Sequence, residues 1–167
     1  KIFFPIFLIL FLFLIKNSYS IEPSIFVQST VNRASAILGD NLSKKEKIEK
    51  LKGVAQETVD IKGIGFYTLG KHRKNLKDEE RKVYSELFKK YFLKSFSSRL
   101  AEYSNPKIDV KSQEKINEKY TIVSSILIAT DERPEVKIDW RIYTKNPEKP
   151  LIRDLIIEGL SLARTQK

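Results

Sequence analysis

His72 is the only imidazole in the sequence, and it stands between two cations in Lys71-His72-Arg73. As a general base it would need a nucleophile beside it and a third group to orient it. The sequence has no Cys, and no Ser lies in a nucleophile motif. As a metal ligand it would need His or Cys partners, and there are none. An exposed or capping role is therefore expected. Gly63, Gly65 and Gly70 imitate a phosphate-cradling loop, but the last place of G-x-G-x-x-G holds Thr68 and no strand precedes it. Asp139, Asp154 and Glu158 could bring carboxylates together at strand ends. Acids are common there, and none of the three has a general-acid partner in the sequence. The residues that could do chemistry do not assemble into a catalytic set, so no enzymatic activity and no cofactor are expected.

The elements around them fall into two halves. Apolar residues recur at helical spacing from Glu22 to Leu38, with Pro23 in a first turn. Ser43 and Glu46 have the spacing of a capping box and open a second helix carrying Ile48, Leu51, Val54 and Ala55. "VDIKGIGFYTLGKH" predicts a short third helix with Asp60 as its N-cap. The longest helix is expected from about Lys77 to Tyr103, with Asp78, Glu79 and Glu80 near its positive end. Its apolar face is broad and aromatic: Tyr84, Phe88, Tyr91, Phe92 and Phe96.

After Pro106 the period becomes two. Ile108 and Val110 mark a first strand, Tyr120 to Ala129 a central strand apolar on both faces, and Leu151 to Ile157 a last one. Between the last two, Val136, Ile138, Trp140 and Ile142 alternate with Lys137, Asp139 and Arg141, which turns Trp140 inward. Helices followed by a meander give an α+β fold, with N-terminal helices on one face of a curved antiparallel sheet of about four strands. An aromatic helix face meeting a doubly apolar strand either fills a core or lines an apolar cavity between helices and sheet.

The formal net charge is +10, from 31 basic and 21 acidic residues. The basic residues alternate with acids, as in "SKKEKIEKLKG", instead of forming a stripe with interleaved aromatics, so a nucleic-acid partner is not expected. Residues 1–20 have the pattern of a signal peptide. The run Ile2–Ile15 is short for a membrane span, which takes about 20 residues, and Ser18 and Ser20 are small residues before an expected cleavage at Ser20–Ile21. An uncleaved anchor helix is the other reading of that run. No Met precedes Lys1, so the N-terminus looks incomplete. Export without cysteine suits a periplasm. Residues 21–167 are of single-domain length.

Two stretches carry a family resemblance: "VDIKGIGFYTLGKHRKNLKDEERKVYSELFKKYF" and "VKIDWRIYTKNPEKPLIRDLIIEGLSLARTQ". The order of Asp60, Leu69-Gly70, Arg81, Phe88 and Tyr91, then Asp154, Glu158-Gly159 and Ser161, resembles MlaC, the toluene-tolerance family of periplasmic phospholipid-binding proteins. Two departures stand out. Arg73 occupies a place that is often aromatic in the family. The family also continues into a further helical segment where this sequence ends at Lys167, so 21–167 is expected to be the lipid-binding domain without that segment.

The resemblance implies a phospholipid carrier of an ABC-type lipid transport system. It would act as a monomer between an outer-membrane MlaA-type lipoprotein complex and an inner-membrane MlaD-type transporter complex. The need for a carrier is physical. A diacyl lipid in water exposes two chains at about 0.8 kcal/mol per CH₂, on the order of 20 kcal/mol in all. The expected lipid contacts are Phe88, Tyr91, Phe92 and Phe96 on the long helix and Ile138, Trp140 and Ile142 on the sheet. Phe66 and Leu69 would close one end, and Ile126 and Leu155 would form the floor. Other readings are a cystatin-like or nuclear-transport-factor-like domain for a small ligand or reaction, a hopanoid-type lipid carrier, and a structural envelope protein with a filled core.

Overall fold

The change of period at Pro106 divides the molecule in space as it does in sequence. The computed structural model describes residues 20–166. The expected signal peptide, residues 1–20, lies outside that range except for Ser20. Helix α1 (Pro23–Gly39) begins with its proline in the first turn. Helix α2 (Lys44–Thr58) has the expected capping box: the Glu46 N–H donates to Ser43 Oγ (3.3 Å) and the Ser43 N–H to Glu46 Oε2 (2.9 Å). Helix α3 (Ile61–Thr68) is capped by Asp60, whose Oδ1 accepts from the Gly63 N–H at 2.8 Å. A 3₁₀ turn (Gly70–Lys74) follows, carrying His72 on the surface. Helix α4 (Asp78–Leu100) ends a turn earlier than expected, which leaves Tyr103 in the connection to the sheet.

The sheet is antiparallel in the order β1 (Ile108–Asn117), β2 (Tyr120–Leu127), β3 (Val136–Tyr143), β4 (Leu151–Ile157), β5 (Leu160–Ser161). The fold is α+β, as expected, with a short fifth strand added. Glu158 (φ 48°) and Gly159 (φ 81°) join Ile157 to its partner Leu160. Positive φ at both residues is the two-residue hairpin geometry that follows strand twist. "EG" is therefore a turn, and Ser161 caps the short helix α5 (Leu162–Thr165) behind it.

Strand β1 is far longer than its two apolar residues suggest. Beyond Val110 it is exposed, and backbone pairing to β2 carries it through to Asn117. It is an edge strand, with register shifts at Val110/Ser112 and Lys115/Asn117 and with Lys111 and Lys115 on it. Such devices discourage pairing with another chain.

Helix α1 packs against β1 and β2, and its Ser35 hydroxyl donates to the Pro106 carbonyl at 2.9 Å. Helix α3 is fastened to β4. The Asp60 N–H donates to the Ile152 carbonyl (2.9 Å), and Arg153 pairs with Asp60 Oδ2 (2.5 Å) while stacking on Tyr143 (4.7 Å). Helix α4 rests mainly on α2 and α3. The buried cluster runs through Val27, Val31, Ala55, Val59, Val123 and Ile152.

Candidate functional site

With α4 resting mainly on two helices, its inner face borders a gap against the sheet. Phe88, Tyr91, Phe92, Ser95, Phe96, Arg99 and Leu100 line that gap at spacings of three and four, one continuous face of a helix. From Phe88 to Leu100 this face extends about 18 Å at 1.5 Å per residue. The rings form a ladder, with Phe88–Phe92 centroids 6.1 Å apart and Phe92–Phe96 5.3 Å apart, both stacked. In a filled core such a ladder would be sealed. Here α4 buries only Leu93 and Ser97 completely, and the Phe ladder is half-buried.

The gap is a cavity of about 370 Å³, and its wall is predominantly apolar. This volume lies within the roughly 300–1,000 Å³ range of ligand sites. The sheet side carries Leu127 from β2, Ile138 and Trp140 from β3, and Leu155 and Ile157 from β4. Trp140 is held rigidly: its Nε1–H donates to Ser125 Oγ (2.8 Å), and that hydroxyl donates to the Ile138 carbonyl (3.1 Å). Both serine and indole are thereby satisfied in a buried place. A bulge at Arg141/Ile142 sets the phase of β4, so that Leu155 and Ile157 stand opposite Trp140 and Ile138 and share their face.

Four of the expected contacts lie elsewhere. Ile126 falls on the outer face of β2. Pairing of Val123 with Trp140 and of Ser125 with Ile138 gives the inner face to Thr121, Val123, Ser125 and Leu127. A strand apolar on both sides does not reveal its own phase. Phe66 borders a separate surface cleft with Asp78, Arg81 and Lys82, because α3 turns Ile64 to the cavity and a residue two places on faces away. Leu69 caps α3 outside the cavity, and Ile142 is fully buried in the core on the inner face. A helical wall that was not expected completes the cavity. Thr30, Val31, Ala34 and Leu38 of α1 and Leu51, Val54 and Thr58 of α2 line the cavity. Their apolar spacing was visible, but nothing in it distinguished a cavity wall from core.

The potential chemistry does not assemble. Asp139 accepts from Ser124 Oγ (2.7 Å), and Glu158 accepts from the Lys137 N–H (2.5 Å). Asp154 is buried at one end of the cavity, where it accepts from Ser161 Oγ (2.5 Å) and the Ala163 N–H (2.9 Å) and so pins α5 to β4. Among the described residues no three His, Asp or Glu converge as a metal site. The glycines have packing roles. A Cβ on Gly63 would stand 2.4 Å from Asp60 Oδ2, and one on Gly65 would stand 2.7 Å from Phe88 Cδ1.

The profile of the MlaC protein family matches residues 28–167, nearly the whole described chain. The chain belongs to the MlaC family. A solved structure with the same fold is the phospholipid-binding protein from Ralstonia solanacearum, determined in complex with a phospholipid. It superposes with a TM-score of 0.71 at 20% identity, over 87% of this chain and 83% of that one. No curated protein matches the sequence. Among the described residues of this MlaC-family chain, no helix is long and apolar enough to cross a membrane.

Proposed function

We propose that this MlaC-family protein is a phospholipid carrier that takes acyl chains between α4 and the sheet. The observation that carries the reading is the apolar space between α4 and the sheet, toward which α4 turns a ladder of aromatic rings. The dimensions agree. A tail in one leaflet occupies about half of a hydrocarbon layer roughly 30 Å thick, and the lined face of α4 extends about 18 Å. Phe88, Tyr91, Phe92, Phe96, Ile138, Trp140 and Leu155 are the proposed acyl contacts. No bond is made or broken in such a role. The phospholipid in the Ralstonia solanacearum structure and the family membership both support this reading.

We also propose its route. The protein is exported to the periplasm by cleavage of residues 1–20. It then passes lipid between an outer-membrane MlaA-type complex and the MlaD-type complex of an inner-membrane ABC transporter. The test of binding is organic extraction of the protein purified without detergent. Phospholipid at about one molecule per chain is expected. A small polar ligand, a polycyclic lipid or an empty extract would each refute the phospholipid reading.

A further inference from the structure

The cavity is electrically asymmetric along its axis. Arg99 is the only cation among the described residues that line it, and it lies at the C-terminal end of α4 beside Tyr103 and Pro106. The opposite end, near Tyr91, Leu162 and Gln166, carries the carboxylate of Asp154. The connection between β2 and β3 brings a second guanidinium to Tyr103, where Arg133 stacks over the ring at 4.8 Å. The Arg133 loop is closed by backbone hydrogen bonds exchanged with Thr130 (2.9 and 3.2 Å). Among the described residues neither guanidinium pairs with a carboxylate. Tyr103 is 40% exposed, so this end opens to solvent.

We infer that Arg99, which lines the cavity with Tyr103, and Arg133, which stacks on that ring, receive the phosphate of the bound lipid and thereby fix its polarity in the cavity. The phosphodiester sits at the α4 C-terminal end, and the tails run toward Trp140 and the Phe88 end. Arginine suits this place because its fork of N–H groups matches two phosphate oxygens at once. The negative end of the α4 dipole opposes an anion here, and Arg99 in the last turn offsets it. At the other end a phosphate would meet Asp154 with no cation in the wall. This inference rests on the carrier reading and adds an orientation to it.

The test offers the full chain an equimolar mixture of dioleoyl phosphatidylglycerol and dioleoylglycerol, which share tails and differ in the phosphate-bearing headgroup. The protein is re-isolated and its lipid quantified. In the double variant Arg99→Gln/Arg133→Gln the ratio of phospholipid to diacylglycerol should fall about fivefold, the scale of exposed ion pairs, with total lipid unchanged. Arg99→Lys, which keeps the charge, should retain most of the preference. An unchanged ratio in the double variant, with both lipids bound, overturns the orientation and leaves the carrier reading standing. A wild-type chain that takes neither lipid overturns both. Excess inorganic phosphate should leave the wild-type ratio intact, and collapse of the ratio would mark a site for the free anion instead of the headgroup.

Discussion

At Gly65 the closeness of α3 to α4 comes down to one missing methyl group. A Cβ there would lie 2.7 Å from Phe88 Cδ1, and that ring lines the cavity. Gly65→Ala gains about 1 kcal/mol of helix propensity but incurs about 1–3 kcal/mol of overpacking. A net loss of stability with lower lipid occupancy is expected, measured as the urea midpoint and extracted lipid; a more stable variant with full lipid would contradict it. Phe92 provides the complementary case. Ile142 is 0% exposed, and truncating such a residue costs about 2–5 kcal/mol. Phe92→Ala should cost clearly less than Ile142→Ala, because its ring already borders a void while Ile142 does not line the cavity, yet it should lose more lipid. Equal stability losses with unchanged lipid would make the ladder ordinary core. Sequence alone showed the aromatic spacing of this ladder. It could not show why Gly65 is a glycine, because the atoms it makes room for belong to Phe88 on another helix.

Among the elements, α2 owes its start to a local device and β4 to a distant one. The Glu46 carboxyl is held below its ordinary value of 4.5, chiefly by the Ser43 side chain and then by the Ser43 N–H. A lowered folded-state pKa means that the box stabilises α2 fully above the ordinary carboxylate value. That contribution is lost as the pH falls through the lowered one. Glu46→Gln should therefore be less stable than the parent at neutral pH and converge with it in acid. Parallel pH profiles would contradict the assignment. The capping box was legible because its partners are three residues apart. The phase of β4 was not, since the bulge opposite Arg141/Ile142 is set by pairing across the sheet. For the same reason Ile126 was placed inward and Leu127 overlooked, and the polar length of β1 was missed. Periodicity identifies a strand with one apolar face, whereas pairing decides which face an all-apolar strand presents.

Over the whole molecule, the order of four helices and then strands was legible from period alone. The cavity was legible only as a surplus of aromatic surface. What makes it a cavity is tertiary: α2 and α3 bear α4, α1 covers β1 and β2, and the space between α4 and the inner sheet is left open. The central claim is that acyl chains occupy that space. Trp140 is the only tryptophan in the sequence and forms part of the wall, so it reports on the claim directly. The measurement is Trp140 fluorescence while the protein is loaded with phospholipid carrying brominated chains, against the same lipid without bromine. Contact quenching that saturates at about one lipid per chain is the predicted result. Lipid that binds in equal amount and leaves Trp140 unquenched would place the chains elsewhere and contradict the account.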